Sequence, residues 1–303
     1  MNTQNNDFIM LPTNDFCFKG LMRNDKVRKG FIAAILKQKP EDIEETTILP
    51  AETNKNSEKE KLGILDVKVK LQSGTMIDME MQVESLAYWD KRILFYLSKM
   101  YFDQAKKGET YDKIQKCIHV SILDFIHFPD DDKCYRIINL CDIDSGNIYT
   151  DLFELHILEL KKLKNNPQES DDIIQWMKFF SGTCREEFEM LAELNEYLDE
   201  AYRELMELSA DDMTREEYEA REKALRDHYS ILKRAVDTGL EQGMAQGMAQ
   251  GMAQGMAQGM AQGMEDGIAL TKNVLKLYAE QKTPEEISSL CQISLDQVNK
   301  ILA

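Results

Sequence analysis

The stretch Ile64 to Glu84, ILDVKVKLQSGTMIDMEMQVE, constrains this chain more than any other segment. Its strict alternation suits a pair of half-buried strands and no helix. Leu65, Val67, Val69 and Leu71 share one face of the first strand, and Asp66, Lys68 and Lys70 share the other. On the second strand Ile77, Met79, Met81 and Val83 face one way, and Asp78, Glu80, Gln82 and Glu84 the other. Successive side chains point to opposite faces of a strand. The hairpin therefore gathers carboxylates and lysines on one side and apolar groups on the other. A three-residue loop, Ser73-Gly74-Thr75, pairs Gln72 with Met76. That register sets Asp66 across from Gln82 and Lys68 across from Glu80, with Glu80 diagonal to Asp66. A two-residue loop opposes polar to apolar positions, which the pattern disfavours.

Two carboxylates a few ångströms apart repel, and proteins hold such a pair around a divalent cation or a shared proton. Oxygen-only ligation suits Mg²⁺, with Mn²⁺ as the alternative. A cation so placed can activate a water and stabilise charge on a phosphodiester. The plainer reading is an exposed hairpin with one polar side. Spacing alone leaves both open.

The net charge of −17 argues against a nucleic-acid partner only if the charge is spread evenly, and it is not. Residues 1–100 carry 15 acidic and 15 basic side chains, whereas residues 151–250 carry 24 acidic against 12 basic. The hairpin lies in the neutral part. Six scattered cysteines without a CxxC pair read as reduced thiols. The four histidines lack zinc-like spacing. No 18-residue apolar run occurs, and the N-terminus lacks the basic and apolar regions of a signal peptide. The expectation is a cytoplasmic protein with no membrane span.

Along the chain, Asn14-Asp15 can cap a helix from Phe16 to Lys37, weakened at Gly30. Ile43 to Leu49 is a short strand, and the polar residues 51–61 lead as a loop into the hairpin. Leu86 to Lys107 forms a helix stopped by Gly108, with Trp89, Ile93, Tyr96, Leu97, Met100 and Tyr101 as its buried stripe. Ile114 to Ile126 is apolar enough for a central strand. Cys134 to Cys141 and Leu152 to Leu160 are two more, separated by the turn Asp144-Ser145-Gly146-Asn147. This order predicts an α/β sandwich with one mixed sheet. From Asp171 the pattern turns helical and acidic, continuing through an amphipathic helix from Arg215 to Val236.

Glycine then recurs every four residues from Gly239 to Gly267, with Leu240, Met244 to Met264 and Ile268 following each. Four residues overshoot a helical turn, so each column winds by about 40° per repeat. Two readings stand: a self-associating helix, giving a homo-oligomer through this region, or a length-tolerant spacer. The glutamines from Gln242 to Gln262, and Glu241, Glu265 and Asp266 at the ends, argue against a membrane span. Thr283 to Leu302 holds two short capped helices with a turn near Gln292. With only Lys300 basic in the second, a small packing module is favoured over a DNA-reading helix-turn-helix.

Several stretches together carry a resemblance: DFCFKGLM from Asp15, LDVKVKLQSG from Leu65, IDMEMQ from Ile77, KRILFYLSKMYFDQAKKGETY from Lys91, and the strand IHVSILDF. The chain resembles the bacterial Rpn family of recombination-promoting nucleases and transposases, within the PD-(D/E)XK nuclease superfamily. The resemblance implies a restriction-endonuclease-like α/β core with an all-α C-terminal extension. It also implies a metal-dependent DNA endonuclease linked to recombination or mobile elements. Position by position, Asp66 and Glu80 become the metal-holding acids, and Gln82 stands where the superfamily has lysine. Lys68, on the same face by parity, is the candidate to supply the missing cation. Asp15 is a candidate further acid, and Arg92 and Tyr96, four apart on one helix, are candidate phosphate contacts. The resulting division is a nuclease-like domain over 1–165, an acidic helical region over 166–238, the repeat over 239–268 and a helical pair over 269–303. The alternative is a catalytically degenerate DNA-associated or self-assembling protein. A true transposase lacks support, since nothing resembles a second strand-transfer site.

Overall fold

A computed structural model describes residues 8–43, 45–49, 67–85, 87–165 and 171–303. The described residues form one six-stranded mixed sheet. Its strands are β1 (Thr46–Leu49), β2 (Val67–Leu71), β3 (Met76–Gln82), β4 (Cys117–Leu123), β5 (Tyr135–Cys141) and β6 (Ile148–Glu159). They lie in the order β1-β2-β3-β4-β6-β5. The β3–β4 and β4–β6 pairs are parallel and the others antiparallel. Every position of β4 is buried, as its near-continuous apolar run requires of a central parallel strand.

The two sheet faces differ in chemistry. Val69, Ile77, Met79, Val120 and Leu158 belong to the main core, which they share with helices on that side. These helices are α1 (Asp15–Arg23), α2 (Asp25–Leu36), α4 (Asp172–Ser181), α5 (Arg185–Ala192) and α6 (Glu196–Ala210). Phe18, Phe31, Trp176, Phe180 and Phe188 fill the space between, each worth about 2–3 kcal/mol of burial. The acidic helices expected as a separate region from residue 166 thus lie in the same core as α1 and α2. The opposite face is covered by α3 (Trp89–Phe102). There Leu97 and Met100 pack on Met76 and Cys117, and Trp89 and Ile93 on Leu123 and Ile157.

Several element boundaries depart from the sequence reading. The helix expected over Phe16 to Lys37 breaks at Asn24, not at Gly30. Asn24 closes α1 through its N–H to the Leu21 carbonyl and caps α2 by accepting from Lys26 and Val27. Its amide also donates to Glu200 at 3.0 Å and Glu204 at 2.8 Å on α6. Gly30 is instead a packing requirement, because a Cβ there would lie 2.6 Å from the Tyr197 Cβ. The buried Arg28 donates to the Met22 carbonyl at 2.8 Å and to Thr46 Oγ1 at 2.9 Å, tying the end of α1 to β1. The helix expected to reach Lys107 ends at Phe102, and Tyr96 and Tyr101 of its expected stripe are only half-buried. Just past its end the Gln104 side chain exchanges two hydrogen bonds with the Gln115 backbone, which fastens the chain to the start of β4. The acidic helical stretch expected from Asp171 is divided into α4, α5 and α6, the last of which starts at its cap Asn195. The expected loop over 51–61 lies outside the described residues.

Two compact units make up the chain, Met1–Leu225 and Arg226–Ala303. The helix α7 (Asp212–Ala279) runs without interruption through the glycine repeat. Met244 to Met264 are each 72–75% exposed, as expected of columns that wind around a helix. At its end Val274 packs with Ile287 and Val298 of α8 (Pro284–Cys291) and α9 (Leu295–Leu302). Both short helices carry the capping boxes that Thr283 and Ser294 announce. No helix among the described residues is long and apolar enough to cross a membrane.

Candidate active site

β3 is the strand on which the candidate site is built, because it pairs on both sides and carries alternating acids. Its neighbour β2 is set by the turn. Leu71 N–H donates to the Thr75 carbonyl and Gly74 N–H to the Leu71 carbonyl, both at 2.9 Å. Gly74 takes φ +94°, which a side chain would strain. The three-residue loop is therefore Gln72-Ser73-Gly74, one position earlier than expected. The register moves by two residues, so Lys68 pairs with Asp78 and Val67 with Met79. An even shift preserves parity, and the polar positions stay on one face. It nevertheless removes Lys68 from its expected place opposite Glu80. Asp66 lies outside the described residues.

The polar face lies under α3 and is buried. Asp78 is 1% exposed and Glu80 6%. Asp78 Oδ2 is 2.7 Å from His119 Nδ1, and His119 Nε2 is 2.8 Å from Ser121 Oγ. The parallel register explains this chain of bonds, since His119 stands beside Asp78 and Ser121 beside Glu80. Glu80 Oε1 accepts from Arg92 Nη2 at 2.5 Å. The Arg92 guanidinium lies 5.4 Å from the centre of the Tyr96 ring. The Gln82 amide donates to the Glu84 carbonyl at 3.2 Å. Arg92 and Tyr96 do share the helix face that meets the site. Asp15 engages Lys19 at 3.2 Å and Arg221 at 2.9 Å instead. Lys68 is half-buried beside Cys117, whose thiol burial pushes up to about 12.

Two buried polar atoms in this cluster have no hydrogen-bond partner, Asp78 Oδ1 and Arg92 Nε. Leaving a buried charged group half-satisfied costs on the order of 1–3 kcal/mol, so such atoms point to a missing ligand. Asp78 Oδ1 and the Glu80 carboxylate are hard oxygen donors, which fit a divalent cation of the Mg²⁺ or Mn²⁺ kind. Among the described residues no three His, Cys, Asp or Glu side chains form a metal cage. Asp78, His119 and Ser121 escaped the sequence reading as site residues. The signal was present in the parity of Asp78 and in the alternation IHVSI, where two polar residues fall on one face of an otherwise apolar strand.

A mixed six-stranded sheet flanked by helices is consistent with a PD-(D/E)XK-type nuclease fold. The chain belongs to the PD-(D/E)XK nuclease family transposases, whose family model matches residues 12–235. Nucleases of this superfamily typically use divalent metals. Comparison with curated proteins and with solved structures gives no match.

Proposed function

We propose that the chain is a divalent-metal-dependent DNA endonuclease, acting in the cytoplasm on DNA linked to recombination or mobile elements. The observation that carries this reading is the buried Glu80, joined to Arg92 beside an Asp78 oxygen that has no partner. Asp66 and Glu80, the two acids that match the family's motif, are the proposed metal-holding pair, with Asp78 Oδ1 as a further oxygen donor. A bound divalent cation would supply a nucleophilic water and offset charge on the phosphodiester.

The remaining roles fall to this chain's own side chains. Gln82 stands two residues beyond Glu80 and can orient a water or a phosphate oxygen, but cannot supply charge. Lys68 was the candidate for that charge, yet it stands opposite Asp78. Arg92 is better placed, being the cation already on Glu80, and its fork suits a phosphate. Tyr96 stacks on that guanidinium and orients it. Asp15, held by Lys19 and Arg221, serves the packing of α1 and α7 in this reading. Six free thiols support a reducing compartment.

Nicking of supercoiled plasmid tests the proposal. Wild type cuts with Mg²⁺ or Mn²⁺ and not with chelator, and Glu80→Gln and Asp66→Asn abolish cutting. Full activity in both variants would sink the proposal. A second reading, a degenerate DNA-associated or self-assembling protein, draws on the neutral Gln82 and on the exposed methionines of α7. It predicts metal-independent DNA binding without cutting, and loss of oligomers on deleting residues 239–268.

A further inference from the structure

α3 presents a second chemistry on the side turned away from the sheet. Its exposed aromatic side chains are Phe95 and Phe102, 43% and 63% exposed, preceded by Tyr88 at 71%. They recur every seven residues, and seven residues fall about 20° short of two full turns. The three rings therefore stand in one line along the helix, spaced about 10 Å apart. Large exposed aromatics are costly on a free surface, and three in a line are not the scatter of ordinary exposed apolar residues.

The charge beside the line is the opposite of the chain's overall balance. Residues 88–107 carry five basic side chains (Lys91, Arg92, Lys99, Lys106, Lys107) against two acidic ones (Asp90, Asp103), in a protein of net charge −17. Lys91, which is exposed, lies 5.4 Å from the centre of the Tyr88 ring, and Lys99, already paired with Asp103 at 2.8 Å, lies 5.9 Å from that of Phe102. Lys106 and Lys107 are exposed just past the end of the line. At about 100° per residue, Arg92 projects only about 40° from Tyr88 around the helix, and it reaches Glu80. The aromatic line and the candidate active site thus lie on adjacent faces of the same helix.

We propose that Tyr88, Phe95 and Phe102 form a stacking platform for an unpaired segment of DNA led past the candidate active site. Cations interleaved with ring faces are the combination that holds single strands, the rings taking bases and the lysines the backbone. A duplex hides its base faces in its own stack and leaves only phosphates to bind. The platform therefore favours single-stranded over double-stranded DNA. This inference deepens the nuclease reading and rests on it for the identity of the substrate.

Fluorescence anisotropy of the full-length protein in chelator, with a labelled dT20 and a duplex of equal length, separates binding from cutting. Wild type is expected to bind dT20 more tightly than duplex. The triple variant Tyr88→Leu/Phe95→Leu/Phe102→Leu keeps apolar bulk and helix propensity but removes the ring faces. It is expected to lose about tenfold or more in dT20 affinity and less than about twofold for duplex. Tyr88→Leu and Phe102→Leu, at the two most exposed rings, test the same point singly, each with a loss of about fivefold. Equal affinity for dT20 and duplex overturns the platform, as does an unchanged affinity in the variants. Tighter binding of rU20 than dT20 overturns the assignment to DNA. Because binding is read without metal, a protein that stacks dT20 yet never cuts refutes the nuclease reading alone. One that cuts with unaltered variant affinities refutes the platform alone.

Discussion

Arg92 closes on Glu80: Nη2 lies 2.5 Å from Oε1, while Nε of the same guanidinium is buried without a partner. The pair sets a cation against a carboxylate that is 6% exposed beneath α3. It also holds a cation at the acid that the nuclease reading assigns to the metal.

Arg92→Ala is therefore expected to lower metal-dependent nicking by about 100-fold, the scale seen when one transition-state donor is removed. Arg92→Lys retains charge but loses the fork, and falls between the two. Lys68→Ala, opposite Asp78, is expected to cost less than Arg92→Ala. Initial rates on supercoiled plasmid at saturating Mg²⁺ rank the three. A larger loss for Lys68→Ala would restore the lysine as the cation of the site.

The Asp78–His119–Ser121 chain predicts a stability ordering. His119→Leu leaves a carboxylate that is 1% exposed with neither oxygen bonded, and is expected to cost about 3 kcal/mol or more. Ser121→Ala removes one hydrogen bond to His119, worth about 1 kcal/mol. Asp78→Asn/His119→Leu, which removes the charge as well, is expected to recover part of the loss. Urea midpoints of the full chain measure all three.

The polar ladder also shows where sequence reasoning reached its limit. Parity is a local property, so the buried and polar faces of β2 and β3 were legible, as were β4, the β5–β6 turn and the two capped terminal helices. Register is set by turn hydrogen bonds, and moving the loop by one residue shifted Lys68 by a full ladder step without changing its face. The break at Asn24 was hidden for a similar reason. An asparagine inside an amphipathic pattern becomes a cap only when its amide finds partners, here Glu200 and Glu204 from a helix over 170 residues later in the chain. Burial of the acidic face was invisible because the helix that covers it follows the hairpin in sequence and could as well have packed elsewhere.

Glycines in two settings should respond oppositely to alanine. In the compact core, Gly30→Ala drives a methyl against Tyr197 and Trp176 and is expected to destabilise by about 1–3 kcal/mol. In the repeat, nothing lies within 4 Å of a Cβ added at Gly247, Gly251 or Gly255. Each substitution there is expected to stabilise α7 locally by about 1 kcal/mol. Thermal melts followed by far-ultraviolet circular dichroism separate the effects. A stabilising Gly30→Ala would contradict the close approach of α2 and α6.

Acid sensitivity is expected at the far side of the sheet. His156 Nε2 is 2.7 Å from Glu154 Oε1, and Lys116 Nζ donates to Oε2 at 2.9 Å. These bonds, the histidine's first, hold the Glu154 carboxyl down at about 2, against an ordinary 4.5. Because the folded-state value is depressed, the unfolded chain binds the proton more readily between the two values. The stabilisation is present above pH 4.5 and is lost as pH falls toward 2, an effect on the order of 2–3 kcal/mol. Glu154→Gln cannot titrate, so it is expected to be less stable than wild type at pH 6. The gap should shrink below pH 4.5 and fall to about a quarter of its pH 6 value by pH 2.5. Urea unfolding of both proteins across that range gives the difference directly. A gap that stays constant with pH would show that the carboxylate owes nothing to His156 and Lys116.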